Sequence, residues 1–378
     1  MRTSSCLIFF TLSLFSKLAN ASWEQEQTAL NMSVLHDSNK QESESNYMSK
    51  VQLSLDSTKL FQGVGVKVNG SLAANSLSDN DYATEDDFSY GLTSRIFLSD
   101  SSNAEISADE NRRIGLIDQK SSVYLDANSQ FQKSSGSAKA VKVRLGSDQQ
   151  VRSIAFGYTE SESSIFSGDH LLALRSDEAR FYDVRFQNKV TEDTFLVLKV
   201  ERSEINKLSE SNESNTRVQN GFIGFKTRYL GASSIEVLLG ISETDNFGHG
   251  GSLDNFSWKL NNELRLSDYF NITLSAQNAF QDSNDLQFQS NDVKTMEVKA
   301  EYLPTNYFAV SLRAFGLQRN LNDIERVTEE GVALSTGFKI VKNWSVSTSL
   351  NWLEQDDTRD EFDFDELKLA VGLKWQVY

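Results

Sequence analysis

From about residue 47 to the end of the chain, apolar and polar side chains alternate with the period of a strand, and no stretch competes with the longer period of an amphipathic helix. In residues 255–267 one face reads Phe256, Trp258, Leu260, Asn262, Leu264, Leu266. The other reads Asn255, Ser257, Lys259, Asn261, Glu263, Arg265. Residues 343–354 set Trp344, Val346, Thr348, Leu350 and Trp352 against Ser345, Ser347 and Ser349. Residues 365–378 present Leu367, Leu369, Val371, Leu373, Trp375 and Val377 on one face. The pattern predicts strands near 138–147, 151–160, 179–191, 194–205, 217–230, 233–245, 255–267, 269–281, 291–303, 306–318, 330–341, 343–354 and 365–378. Earlier in the chain it predicts 47–57, 61–74, 88–99 and 122–133, with RRIGLID (112–118) as one further short strand.

Most of these strands are longer than the five or six residues usual in water, and tilted strands of about ten residues cross a hydrocarbon layer. The connections alternate as well. Short turns (IVKNW, YLPTN, LSDY, YLGAS, VTEDT) are separated by long polar segments such as EQDDTRDEFDF, QRNLNDIERVTEE and EINKLSESNESNT. Short turns on one side and long loops on the other are the asymmetry of an outer-membrane barrel. Tyr269, Phe270, Tyr302, Tyr307, Phe308, Trp344 and Trp375 fall beside the short turns, where an interfacial girdle sits. The expected fold is therefore all-β, a transmembrane antiparallel β-barrel of 16–18 strands of the outer-membrane type. An even number is expected because single-chain bacterial barrels have one. A hydrophobic strand ending the chain (KLAVGLKWQVY, 368–378) is a hazard in water unless its edge is paired. Gly372, Trp375 and Val377 have the spacing of a terminal assembly signal, which makes the barrel-assembly machinery an expected partner through this strand.

The N-terminal region adds a destination. CLIFFTLSLF (6–15) is too short to span a bilayer but suits a signal-peptide core, and Ala19-Asn20-Ala21 supplies a small-x-small cleavage pattern. Residues 1–21 are expected to be a signal peptide, 22–46 a flexible polar periplasmic lead-in, and 47–378 the barrel. The only cysteine, Cys6, lies in the first segment, so disulfides and thiol chemistry are excluded from the rest. Removing residues 1–21 takes Arg2 and Lys17 and leaves 35 basic against 53 acidic residues, an excess that argues against nucleic acid as a partner. The expected location is the outer membrane of a Gram-negative cell, with lipid and lipopolysaccharide as surroundings.

Candidate chemistry is sparse. Within the barrel region only His170 and His249 offer an imidazole, and His249 sits in the Gly-rich NFGHGGSLDN, a poor platform for preorganised catalysis. GVGVKVNG (63–70) lacks the Lys-Ser/Thr ending and following helix of a phosphate loop. The acidic stretches at 79–81, 282–285 and 354–366 read first as solvated loops, with divalent-cation binding left open. No enzyme, cofactor or metal site is expected. The most informative polar set is the face opposite the apolar one: Lys259, Glu263, Arg265, Glu297, Lys299, Glu301, Arg313, Lys339, Lys368 and Lys374. Charges at that depth require a hydrated lumen or paired ladders.

The strand–turn texture, together with SRIFLSDSSN (94–103), resembles a family of outer-membrane β-barrel porins often found near exopolysaccharide gene clusters. Arg95 stands where that family has Asn. The resemblance implies a transport or export role and brings no catalytic residues. The expected function is passive passage of small hydrophilic solutes through a charged lumen. The alternative is a non-conducting accessory of exopolysaccharide export, for which polysaccharide would be a partner.

Overall fold

The computed structural model describes residues 26–376 except 42–43, 62, 78–85, 100, 117–130, 147–150, 168–174, 210–212, 248–251, 283–289, 306, 321–325, 342 and 358–363. The described residues contain no helix and form 18 strands in one sheet. These are β1 (Glu26–Gln41), β2 (Glu44–Phe61), β3 (Val64–Leu77), β4 (Asp86–Ser99), β5 (Ser102–Leu116) and β6 (Phe131–Leu145). They continue with β7 (Arg152–Ser167), β8 (Arg175–Lys189), β9 (Thr194–Ser209), β10 (Glu213–Tyr229), β11 (Ser233–Phe247) and β12 (Ser252–Arg265). The last six are β13 (Phe270–Asp282), β14 (Ser290–Thr305), β15 (Phe308–Asn320), β16 (Arg326–Val341), β17 (Trp344–Asp357) and β18 (Phe364–Gln376).

Each strand pairs antiparallel with the next, and β1 pairs with β18, so the sheet closes on itself. Closure leaves no edge, the condition for a sheet in hydrocarbon, where an unpaired backbone group has no water to bond. The molecule is a transmembrane antiparallel barrel of the outer-membrane class.

The alternation read from the sequence sets the register. Val346 stands opposite Leu373, Leu350 opposite Leu369 and Trp352 opposite Leu367, which makes continuous apolar rows across β17 and β18. Ring contacts mark the short-turn end. Trp344 stacks on Trp375 at 5.6 Å between centroids, Phe308 meets Phe338 at 4.7 Å, and Phe270 meets Tyr302 edge-on at 6.2 Å.

Three expectations change. The supposed lead-in carries β1, because Leu30, Met32 and Val34 take register positions opposite Leu55, Leu53 and Val51 of β2. On the other side Met32 and Val34 face Trp375 and Leu373 of β18. The barrel therefore starts at Glu26 rather than residue 47. The first five residues of RRIGLID (112–116) are the far end of a complete strand, β5, while residues 117–118 and the predicted strand at 122–133, up to its last three positions, which begin β6, lie outside the described residues. Finally, much of each expected long loop is strand. β9 reaches Ser209 and β10 resumes at Glu213, so EINKLSESNESNT mostly extends a hairpin. Pairing can continue past the apolar belt because polar side chains on both faces then meet water. Residues 1–25, His170, His249 and the stretch 79–81 lie outside the described residues.

Candidate functional site: the inner face

The two faces of the sheet are distinguished by burial. On β10, Ile223 is 54 % exposed, while its neighbour Phe222 on the opposite face is 5 % exposed. The faces are also distinguished by reach. Lys259 of β12 bonds Glu201 of β9 at 2.6 Å across two intervening strands, and Arg185 of β8 likewise pairs with Glu236 of β11. Three strand spacings amount to about 14 Å along a flat sheet. Side chains that bridge them must stand on the concave side. The charged face is therefore the interior of the barrel and the apolar rows are its outside.

Alternation places all ten candidates from the sequence on this inner face. Each stands opposite an apolar row: Lys259 between Trp258 and Leu260, Lys299 between Val298 and Ala300, Lys374 between Leu373 and Trp375. Their partners differ. Lys259 joins Glu201, which also holds Lys199 at 2.5 Å, and its ammonium lies 4.8 Å from the centre of the Phe222 ring. Arg313 pairs with Glu297 at 2.6 Å, and Lys299 with Glu301 at 2.7 Å. Arg265 is at the short-turn rim, 3.4 Å from Asp268. Glu263 is exposed, in register with Thr273. Lys339 and Lys374 are exposed and both face Ser345 in register, while Lys368 faces Asn351. The candidates thus divide between a set of both signs at β12–β15, most of it in ion pairs, and a row of lysines at β16–β18.

The sequence reading missed the partners on β8–β11, Arg185, Lys199, Glu201 and Glu236. Around them the barrel interior is filled. Val197, Phe222 and Leu238 form a buried cluster on the inner face, with Ser242 and Ser257 hydrogen-bonded beside it. The sheet turns sharply here. A Cβ on Gly224 would fall on the Val237 carbonyl oxygen, and one on Gly240 on the Gly221 carbonyl oxygen, so only glycine permits this approach of β10 to β11. The turn brings β10 and β11 towards β13. The constriction is thus made by the wall itself. Arg95 adds a further inner pair, with Glu105 at 2.5 Å. Among the described residues, no group of His, Cys, Asp and Glu side chains is arranged to hold a metal ion.

No protein-family model matches the chain, and no curated protein matches it. Solved structures share the architecture. OccK2 (OpdF) of Pseudomonas aeruginosa is 14 % identical with a TM-score of 0.51, over 95 % of this chain and 100 % of its own. A BenF-like porin of Pseudomonas fluorescens Pf-5 is 13 % identical with a TM-score of 0.51, over 94 % and 99 %. The FrpB iron transporter of Neisseria meningitidis, in its apoprotein form, is 10 % identical with a TM-score of 0.57, over 86 % of this chain and 62 % of its own. At such identities the likeness is one of fold, and the fold shared is that of outer-membrane porin and transporter barrels.

Proposed function

We propose that this chain is an outer-membrane channel for passive passage of small hydrophilic solutes. The observation that carries the reading is a closed 18-stranded wall with an apolar outside and a charged, hydroxyl-rich inside. Barrels of 16–18 strands are wide enough to hold an aqueous channel, and inner charges such as Lys299 and Lys368, set between mid-belt apolar rows, are tolerable only against water or a polar partner. The filled region at β9–β12 narrows this lumen from one side and leaves the β16–β18 lysine row facing the open part. Both signs of charge line the interior, so the channel passes ions of either sign, with a preference set by the exposed lysines. Of the structural neighbours, OccK2 has been solved with glucuronate; a small acidic sugar is accordingly the first solute to test.

The test is reconstitution of the folded chain in a planar bilayer. Discrete conductance steps on the order of a nanosiemens, as for a wide aqueous lumen, are expected, with the current reduced by millimolar glucuronate. A folded barrel that inserts and stays silent would overturn the channel reading. Fractionation of cells into inner and outer membranes tests the location.

A further inference from the structure

The outside of the barrel is not uniform. On β17 and β18 five apolar rows follow one another from the short-turn end: Trp344 with Trp375, Val346 with Leu373, Thr348 with Val371, Leu350 with Leu369, Trp352 with Leu367. From Trp344 to Trp352 this belt spans about 26 Å along the strand, or about 20 Å of membrane normal at a ~40° tilt. On β7–β9 the belt is half as tall. Ile154, Phe186 and Leu198 make one row and Phe156, Val184 and Val200 the next, but the third already pairs Tyr158 and Tyr182 with Arg202. Above it Glu160, Arg180 and Glu204 face outward in one row. The contrast holds at equal residue count from the short-turn end of each strand. Nine residues into β17 stands Trp352, whereas nine residues into β7 and β9 stand Glu160 and Arg202. β5 and β6 share the deficit, since Ile106–Val141 is followed directly by Ala108–Lys139 and Glu110–Ser137.

Charges facing lipid are costly near the bilayer midplane and cheap only near the headgroups. A short belt is relieved by thinning the bilayer or by association with another protein. We infer that the β5–β9 wall is an interface with a second copy of this chain. Three features of the wall favour protein over lipid. Its charges are of both signs and unevenly placed: Glu160 pairs with Arg180 at 3.2 Å and Glu204 with Arg217 of β10 at 3.2 Å, while Glu162 stands opposite Glu178, so an arginine of one copy has a carboxylate pair to meet on the other. It is concave: a cavity of about 260 Å³ opens outward between Glu160, Glu162, Glu178, Arg180, Glu204 and Arg217, which can receive side chains of a facing wall. One row nearer the short turns the Tyr158 and Tyr182 rings lie 5.1 Å apart in register with Arg202, the residue types that anchor interfaces. Five strands give a patch about 24 Å wide by ~35 Å tall, roughly the ~800 Å² per partner of a stable contact.

The test uses single cysteines in the full chain, with Cys6 replaced by Ser so that no other thiol is present. Ser137→Cys and Glu162→Cys place a thiol on this wall, and Thr348→Cys places one at a comparable position on the tall belt. Cells expressing each variant are treated with a short bifunctional maleimide, and folded barrel is scored by its heat-modifiable migration. We expect covalent dimer from the two wall variants to exceed that from Thr348→Cys by at least about tenfold, because held neighbours react at high effective concentration. Equal yields from wall and control would overturn the inference. So would wall cysteines that a membrane-impermeant maleimide labels fully while no dimer forms, since the wall then faces headgroups and water. Native mass spectrometry of wild-type protein extracted in mild detergent is the independent check: oligomers lost on Arg180→Glu support the interface, and monomers alone sink it. None of these readouts depends on whether the lumen conducts.

Discussion

The inner faces of β9–β12 and of β16–β18 are built from similar strands and reach opposite results. On β9–β12 the sheet folds tightly enough to bury Val197, Phe222 and Leu238, and beside them Lys199, Glu201, Glu236 and Lys259 each have an opposite partner within bonding reach. On β16–β18 the inner face carries Ser335, Ser345, Ser347 and Ser349 between exposed lysines, and the glycine among them is slack: a Cβ on Gly337 would touch only the Ala309 Cβ, at 4.0 Å, in contrast to Gly331 farther along β16, which packs against the Phe315 ring. One side of the lumen is structural and the other is left to the solute. What separates them is curvature, set by a few glycines, more than composition.

Substitutions at those glycines should break the comparison most sharply. Gly224→Val forces a side chain onto the Val237 carbonyl and should cost about 3 kcal/mol or more, seen as loss of heat-modifiable barrel or a lowered urea midpoint in micelles. Gly337→Val on the opposite wall should stay within about 1 kcal/mol of wild type. Next comes Glu201→Gln, which strands Lys199 and Lys259 in a half-buried pocket; we expect a loss of about 2 kcal/mol in the same assay. Its reversal potential should also move towards anion preference. Lys339→Glu with Lys374→Glu inverts the picture. Stability should change by less than ~0.5 kcal/mol because both are exposed, while the reversal potential moves towards cation preference. The smallest effect belongs to Arg313→Ala, whose pair with Glu297 has both side chains a third to a half exposed; about 0.5 kcal/mol is expected. A large loss there, or none at Gly224→Val, would show that the division between walls is drawn in the wrong place.

How much of this the sequence discloses follows the same division. Where one face is lipid and the other water, as on β12–β18, alternation is clean and the inner residues can be named in advance. Where the barrel is filled from within, both faces are apolar and the code blurs. TFLVLKV on β9 sets Leu196 and Leu198 outward but Phe195 and Val197 inward, and NGFIGFK on β10 sets Phe222 against Ile223. That is why Arg185, Lys199, Glu201 and Glu236 went unnamed. β5 was hidden for the opposite reason. Its outward row of Ala104, Ile106 and Ala108 contains a single strong hydrophobe before Glu110 and Arg112. β1 had its signal in Leu30, Met32 and Val34, but three apolar positions followed by HDSNKQ resemble a tail. Pairings between distant strands, such as Lys259 with Glu201, depend on curvature and cannot be read from periodicity.

The seam between β1 and β18 has a consequence in time. Every other pairing is a hairpin between neighbours in the chain, whereas the seam joins Asn31 to Gln376, 345 residues apart. Closing a loop of that length costs about 5 kcal/mol of chain entropy against about 2 for a ten-residue hairpin. Assembly should therefore proceed as a growing ribbon and finish at the seam. Until then both margins of the ribbon carry unmatched amide and carbonyl groups. A sheet held open at that stage would be the species most exposed to mispairing with a second chain, and its lifetime, more than the depth of the folded minimum, would govern the yield of barrels.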